Sequence, residues 1–175
     1  MARKKIDLKK FIRLIPAWPK KGVLFRDITP LLADAAAFSA AVKALCAGLK
    51  KSDVDYVVAV EARGFIFGAA VAQKLEAGFI PVRKKGKLPF DTEDITYDLE
   101  YGKDSLEIHS DAIKKGSKVL MVDDLLATGG TMAAACRLVE KLGGKILAIS
   151  FLIELTDLKG RNKLRKYKVK SLMSF

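Results

Sequence analysis

The chain has 175 residues, the length of one compact domain; half are apolar and 8% are aromatic, which supports a sizeable core and excludes intrinsic disorder. The formal charge of +12 sits at the ends: residues 1–30 hold nine Lys/Arg against Asp7 and Asp27, and residues 157–175 hold seven against Asp157. A near-neutral body with two basic ends is expected to carry solvated surface there, so nucleic acid is not an expected partner. No run approaches the roughly 18 consecutive apolar residues of a membrane span, and no membrane partner is expected. Asp7, Lys9, Lys10 and Arg13 interrupt any hydrophobic signal region. Cys46 and Cys136 lie in apolar helical patterns without metal-ligand spacing. A reduced, cytoplasmic setting is therefore expected.

In chain order, Leu8 to Ile15 reads as a short amphipathic helix stopped by Pro16 and Pro19. Gly22 to Pro30 reads as a loop with an extended apolar piece, Val23-Leu24-Phe25. Phe38 to Lys50 has the i, i+3, i+4 apolar spacing of a helix, and Val54 to Val60 is a β-branched run of strand length. Phe65 to Ala77 follows as a helix rich in small residues, then a short strand, Phe79 to Val82, completing a βαβ unit. Gly68, Ala69, Ala70 and Ala72 permit close approach, either of that helix to its own sheet or of two subunits. Residues 83–117 are charged and turn-rich, and a Gly102-Lys103 turn between Tyr97–Tyr101 and Leu106–Ile108 predicts a β-hairpin excursion from the core. Lys118 to Asp123 reads as a buried strand, Gly130 to Leu142 as a helix and Lys145 to Ile153 as a long strand. Strands alternating with helices predict an α/β fold with a central, mainly parallel sheet flanked by helices. Trp18 is expected to pack partly buried, and the sole histidine, His109, to lie on the surface.

Chemistry concentrates where Val119-Leu120-Met121-Val122 runs into Asp123-Asp124-Leu125-Leu126-Ala127 and then Thr128-Gly129-Gly130-Thr131, a turn that opens a helix. Ligands of open α/β sheets bind outside the carboxyl ends of strands. Glycines allow a sharp turn with N–H groups close to a ligand, and a helix N-terminus favours a phosphate. Two carboxylates beside an anion site make sense when the ligand also presents hydroxyls or a divalent cation. A phosphate next to vicinal hydroxyls is a ribose 5-phosphate. A Walker-type nucleotide site is excluded, because no Gly-Lys-Ser/Thr follows the turn. Arg63, just after the strand ending at Val60, opposes the dipole of the helix it begins, and a cation so placed points to an anionic partner.

This strand, acidic pair and Thr-Gly-Gly-Thr loop resemble the fingerprint of the type I phosphoribosyltransferase family, which binds 5-phosphoribosyl 1-pyrophosphate (PRPP). Oxopurine-using members usually carry an aspartate where this chain has Ala127, and the loop is similar to that of the adenine-using members. Gly22-Val23-Leu24-Phe25-Arg26-Asp27-Ile28 is similar to their base-binding loop and Glu61-Ala62-Arg63-Gly64-Phe65 to their pyrophosphate loop. Arg83-Lys84-Lys85-Gly86-Lys87-Leu88-Pro89 is similar to their basic loop, and Leu99-Glu100-Tyr101-Gly102 to their flexible hairpin. Glu154-Leu155-Thr156 and Gly160-Arg161 fit their C-terminal stretch, so the resemblance spans roughly residues 16–165. The chain departs from the family pattern at Lys20-Lys21-Gly22, where many members have a Pro-Gly turn, and at the acidic stretch from Phe90 to Asp94.

The resemblance implies one phosphoribosyltransferase domain over residues 1–175, with a base-binding segment at 1–30 and a hairpin hood at about 88–110. It implies adenine and PRPP as substrates and AMP and pyrophosphate as products, with Mg²⁺ held through PRPP and water rather than by direct protein ligands. Adenine would lie between Phe25 and Leu125, read by the Leu24 backbone and Arg26; Phe25 as an ordinary core residue is the other reading. PRPP would meet Arg63, Asp123, Asp124, Ala127, Thr128, Gly129, Gly130 and Thr131. Arg83, Lys84 and Lys87 would reach pyrophosphate across a homodimer interface, whereas Lys85 reads as solvated. Glu100 is either an exposed strand glutamate or, on a hairpin that closes over the site, a general base. The rivals are a phosphoribosyltransferase for another base and a regulatory nucleic-acid-binding protein of the same fold.

Overall fold

The computed structural model describes residues 6–98 and 102–175. The chain divides into two compact units, residues 1–44 and 45–175. In the first, a 3-10 turn at Leu8–Phe11 is followed by a two-stranded antiparallel ribbon, β1 (Arg13–Pro16) and β2 (Leu24–Asp27), pairing Ile15 with Phe25. The expected helix at 8–15 is therefore a single tight turn and a strand. Four residues cannot repay helix nucleation, and Ile12 is already extended, with ψ at 117°. Helices α1 (Thr29–Ala33) and α2 (Ala35–Leu45) follow. Asp27 starts α1 by accepting hydrogen bonds from the Thr29 N–H (2.9 Å) and hydroxyl (2.8 Å), and Asp34 accepts from the Ala37 N–H (2.8 Å). Trp18 is 51% exposed, more open than expected, and meets the Phe25 ring edge-on with centroids 4.4 Å apart.

In the second unit seven strands form one sheet in the order β5-β6-β4-β3-β7-β8-β9. These are β3 (Tyr56–Val60), β4 (Gly78–Lys84), β5 (Thr92–Asp98), β6 (Lys103–His109), β7 (Lys118–Leu126), β8 (Lys145–Glu154) and β9 (Val169–Ser174). The run β4-β3-β7-β8-β9 is parallel; β6 joins β4 antiparallel and β5 joins β6 antiparallel. The α/β expectation holds, with two differences. The hairpin extends the central sheet instead of leaving it, because Arg83 and Lys84 pair with Glu107 and Leu106. The basic C-terminal stretch contains β9, a strand not assigned from the sequence.

Two crossover helices cover the sheet, α3 (Arg63–Leu75) and α4 (Gly130–Lys141). The faces separate by strand periodicity. Val58, Val60, Met121, Ile149 and Phe151 join the buried cluster that contains Met132, Ala135, Cys136 and Val139 of α4. Ala59 faces α3, where a Cβ on Gly68 would come within 2.6 Å of the Ala59 Cβ and 2.9 Å of the Phe79 ring. Gly68 thus serves the packing of this helix on its own sheet, while Ala69 is exposed. Cys46 and Cys136 are both free and buried. Burial pushes the Cys136 thiol up to about 12, which makes it an inert core residue at neutral pH.

Candidate phosphoribosyl site

The carboxyl ends of β4, β3 and β7 lie side by side, so the segments that leave them share one rim. The acidic pair lies inside β7 and not at its end, because the strand runs on past the expected Asp123: Asp123 pairs with Phe151 and Leu125 with Ile153, and the strand ends only at Leu126. Both aspartates meet the start of α3. A Cβ on Gly64 would stand 2.6 Å from Asp123 Oδ1, so glycine is what lets that carboxylate close on the helix. Arg63 Nη2 lies 2.8 Å from Asp124 Oδ2. That oxygen is buried and receives no donor in hydrogen-bond geometry, so the contact is an ion pair by distance alone.

Asp124 is 5% exposed, whereas Asp123 is half-buried and accepts the Asp124 N–H at 2.8 Å. Burial, and the adjacent Asp124 carboxylate, push Asp123 well above the ordinary carboxyl range. Burial also raises Asp124, against the pull of Arg63. A closely spaced acidic pair costs free energy to keep charged, and hydroxyl donors or a cation lower that cost.

The loop from Ala127 to Thr131 follows at once. Gly129 takes φ +77° and serves as the N-cap of α4, a conformation that presents the first turn's N–H groups outward. Its shape is held from behind by the C-terminal stretch. A Cβ on Gly129 would collide with the Gly160 carbonyl, and one on Gly160 would collide with the Ala127 carbonyl. Arg161, next to Gly160, donates to both oxygens of Glu154 at 2.7 Å, a bidentate pair, and to the Val169 carbonyl at 3.0 Å. Tyr97 of β5 shares a hydrogen bond with the Thr131 hydroxyl at 3.2 Å, which ties the hairpin to the loop.

The basic loop after β4 is held by two acids. Arg83 Nε and Nη2 donate to Glu61 Oε2 at 3.0 and 2.8 Å, and the Lys84 N–H donates to Glu61 Oε1 at 2.8 Å. Burial opposes the ionised form of Glu61, but these bonds hold its carboxyl below the usual range. Lys84 Nζ lies 3.3 Å from Asp104 and Lys85 Nζ 3.1 Å from Asp94, so Lys85, expected to be solvated, is exposed but paired. Among the described residues Lys87 Nζ forms no ion pair.

The structure therefore brings Arg63, Asp123, Asp124, Leu125 and Ala127–Thr131 together, with Arg83, Lys84 and Lys87 on the neighbouring strand end. Leu24, Phe25 and Arg26 belong to β2 of the first unit; Leu24 is exposed, and Arg26 Nη1 donates to the Leu24 carbonyl. Glu100 lies outside the described residues. Glu61, Glu107, Tyr97 and Glu154 drew no role from the sequence. A glutamate between Leu106 and Ile108 reads by alternation as a solvent-facing strand residue, and only the covering loop makes it a buried one.

A family model for the phosphoribosyl transferase domain matches residues 31–174. The chain belongs to the phosphoribosyltransferase family. It is 55% identical over 170 residues to the adenine phosphoribosyltransferase of Pseudothermotoga lettingae, covering 97% of this chain and 100% of that protein. The Clostridium kluyveri adenine phosphoribosyltransferase is also 55% identical, over 97% and 99% of the two chains. Among solved structures, the adenine phosphoribosyltransferase of Thermoanaerobacter pseudethanolicus superposes with a TM-score of 0.91 at 54% identity, over 96% of this chain and 98% of that one. The Saccharomyces cerevisiae enzyme, complexed with an imino-altritol bisphosphate and adenine, gives 0.85 at 41% identity over 93% and 94%.

Proposed function

We propose that this phosphoribosyltransferase uses adenine, converting adenine and PRPP to AMP and pyrophosphate. The observation that carries the reading is the convergence on one rim of the Asp123-Asp124 pair, Arg63 beside it and the Ala127–Thr131 loop at a helix start. The loop's N–H groups and the hydroxyls of Thr128 and Thr131 take the ribose 5-phosphate. Asp123 and Asp124 accept from the ribose hydroxyls, which offsets the cost of holding two desolvated charges side by side and leaves two carboxylates near the sugar as cationic character develops at C1. Arg63, with Lys84, Lys87 and the Arg83 loop, holds the departing pyrophosphate. Leu24, Phe25, Arg26 and Leu125 are each assigned to adenine by the family resemblance, and Ala127 leaves the loop without a carboxylate for an oxopurine N–H. Glu100 is the base that accepts the adenine proton. Rate enhancement on this account comes chiefly from positioning and fixed charge.

Among the described residues no cluster of three or more His, Cys, Asp or Glu side chains could hold a metal ion alone. The acidic pair therefore fits Mg²⁺ only with most of its oxygens coming from PRPP and water. Bound in that way, Mg²⁺ neutralises pyrophosphate charge. The same reading takes the protein as a cytoplasmic homodimer, supported by its two free, buried cysteines and by the cation-rich loop after β4. No helix among the described residues is long and apolar enough to cross a membrane.

The experiment is an initial-rate panel: purified protein, Mg²⁺ and PRPP with adenine, hypoxanthine, guanine, xanthine and orotate in turn. Adenine is expected to be consumed with stoichiometric AMP and pyrophosphate. Faster turnover of an oxopurine or orotate would overturn the substrate assignment, and salt-sensitive nucleic-acid binding without turnover would favour a regulator.

A further inference from the structure

Residues 84–87 are exposed, basic and glycine-containing, the composition of a loose loop, yet each of their backbone N–H groups has a hydrogen-bond acceptor. Glu107 of β6 is 3% exposed and lies directly beneath them. Its Oε2 accepts the Gly86 N–H at 3.0 Å, and its Oε1 accepts the Lys87 and Leu88 N–H groups at 2.8 and 2.6 Å. The register that sets Arg83 opposite Glu107 brings the carboxylate to this turn. Burial opposes its charge, but the three N–H donors hold its carboxyl below the usual range. Burying a carboxylate is costly, and a merely solvated lysine loop has no need of one.

The contacts divide the work. Glu61 grips the loop's first side chain, and Arg83 Nη1 reaches across to the Lys87 carbonyl at 3.0 Å. Among the described residues Glu107 forms no ion pair with a lysine; it fixes three successive peptide N–H groups and sets the direction in which Lys87 leaves the chain. Its negative charge also offsets the repulsion among Lys84, Lys85 and Lys87.

We infer that Glu107 is a positioning residue for pyrophosphate: through the Gly86, Lys87 and Leu88 N–H groups it holds the basic loop in its anion-binding arrangement before ligand arrives. This rests on the reading of that loop as a pyrophosphate contact. Preorganisation of this kind lowers the ordering cost at binding. Glutamine at 107 retains the shape but turns an NH2 group against one N–H donor and removes the charge.

The test compares Glu107→Gln, Lys87→Ala and the double variant by steady-state kinetics with PRPP and adenine varied separately. Glu107→Gln is expected to raise KM for PRPP and the Kd for pyrophosphate about tenfold, leaving kcat and KM for adenine within about twofold. The double variant is expected to be no worse than Lys87→Ala, since both act on one group. If Lys87→Ala raises KM for PRPP and Glu107→Gln does not, the inference fails while the loop keeps its role. If Lys87→Ala has no effect, the loop reading falls and the inference with it. Should Glu107→Gln not fold, amide exchange in the wild type decides: the Gly86, Lys87 and Leu88 amides are expected to exchange at least about tenfold slower than open coil, and open-coil rates would overturn the inference.

Discussion

Replacing Asp124 by asparagine separates the acidic pair's ligand role from its structural one. In the wild type the carboxylate is 5% exposed, burial raises its pKa, and Arg63 at 2.8 Å offsets part of that cost. Asparagine removes the cost and the offset together. The Arg63 side chain is 34% exposed, so water takes over its solvation. The two changes nearly cancel, and stability is expected to move by about 1 kcal/mol or less. For a chain of this length that is a Tm shift of about 2–4 °C. Activity should respond differently. On the proposed reading a ribose hydroxyl loses a charged acceptor, and a lost preorganised group costs about 2–4 kcal/mol in kcat/KM, or roughly 30–1000-fold. Initial rates with PRPP and adenine, beside thermal unfolding, measure both quantities. Activity within about threefold of wild type, near 0.7 kcal/mol, would refute the ligand role. A fall in Tm beyond about 10 °C would show that the aspartate is needed to hold the fold.

Other outcomes follow from the same geometry. Ala127→Asp adds a third carboxylate beside a pair already raised by burial, so adenine turnover is expected to fall and oxopurines to gain at most weak activity; improved adenine turnover would contradict the subtype reading. Gly129→Ala must place a Cβ against the Gly160 carbonyl at φ +77°, and is expected to cost about 1–3 kcal/mol of stability and to raise KM for PRPP, as unfolding and kinetics would show. The Arg161 hydrogen bonds hold the Glu154 carboxyl below its usual range, so its stabilisation is present above the ordinary glutamate pKa of about 4.3 and is lost as pH falls through the lower folded value. The Tm gap between wild type and Glu154→Gln should therefore shrink as pH drops from 5 to about 3. If the basic loop serves the partner subunit, refolding Lys84→Ala/Lys87→Ala together with Arg63→Ala should restore about a quarter of wild-type activity, because half of randomly paired dimers are mixed and each has one intact site. No recovery with mixed dimers formed would place the loop in its own subunit's site.

The parts of this molecule legible in the sequence are those where local pattern and final environment agree. The β-branched run at Val57–Val60, the small-residue helix and the Asp-Asp to Thr-Gly-Gly-Thr junction each announce an element and a neighbour. Legibility fails where tertiary contacts override pattern. Leu8–Ile15 has a helical stripe too short to nucleate, and its last residues pair instead with β2. Glu107 reads as exposed because only the folded-back 86–88 loop buries it. Glu61 sits in a recognisable motif, but its grip on Arg83, 22 residues away, depends on β3 and β4 lying parallel and in register. The Gly129–Gly160 contact joins segments 31 residues apart, and neither glycine alone signals the other.

The central claim is that PRPP binds on the rim formed by β3, β4 and β7. A crystal structure of the protein with PRPP, Mg²⁺ and a non-reactive adenine analogue tests it most directly. The 5-phosphate should rest on the N–H groups of Ala127–Thr131, with the ribose hydroxyls about 2.5–3.0 Å from Asp123 and Asp124 and the pyrophosphate beside Arg63. A phosphoribosyl group seated elsewhere, with the Ala127–Thr131 loop unliganded, would contradict the account.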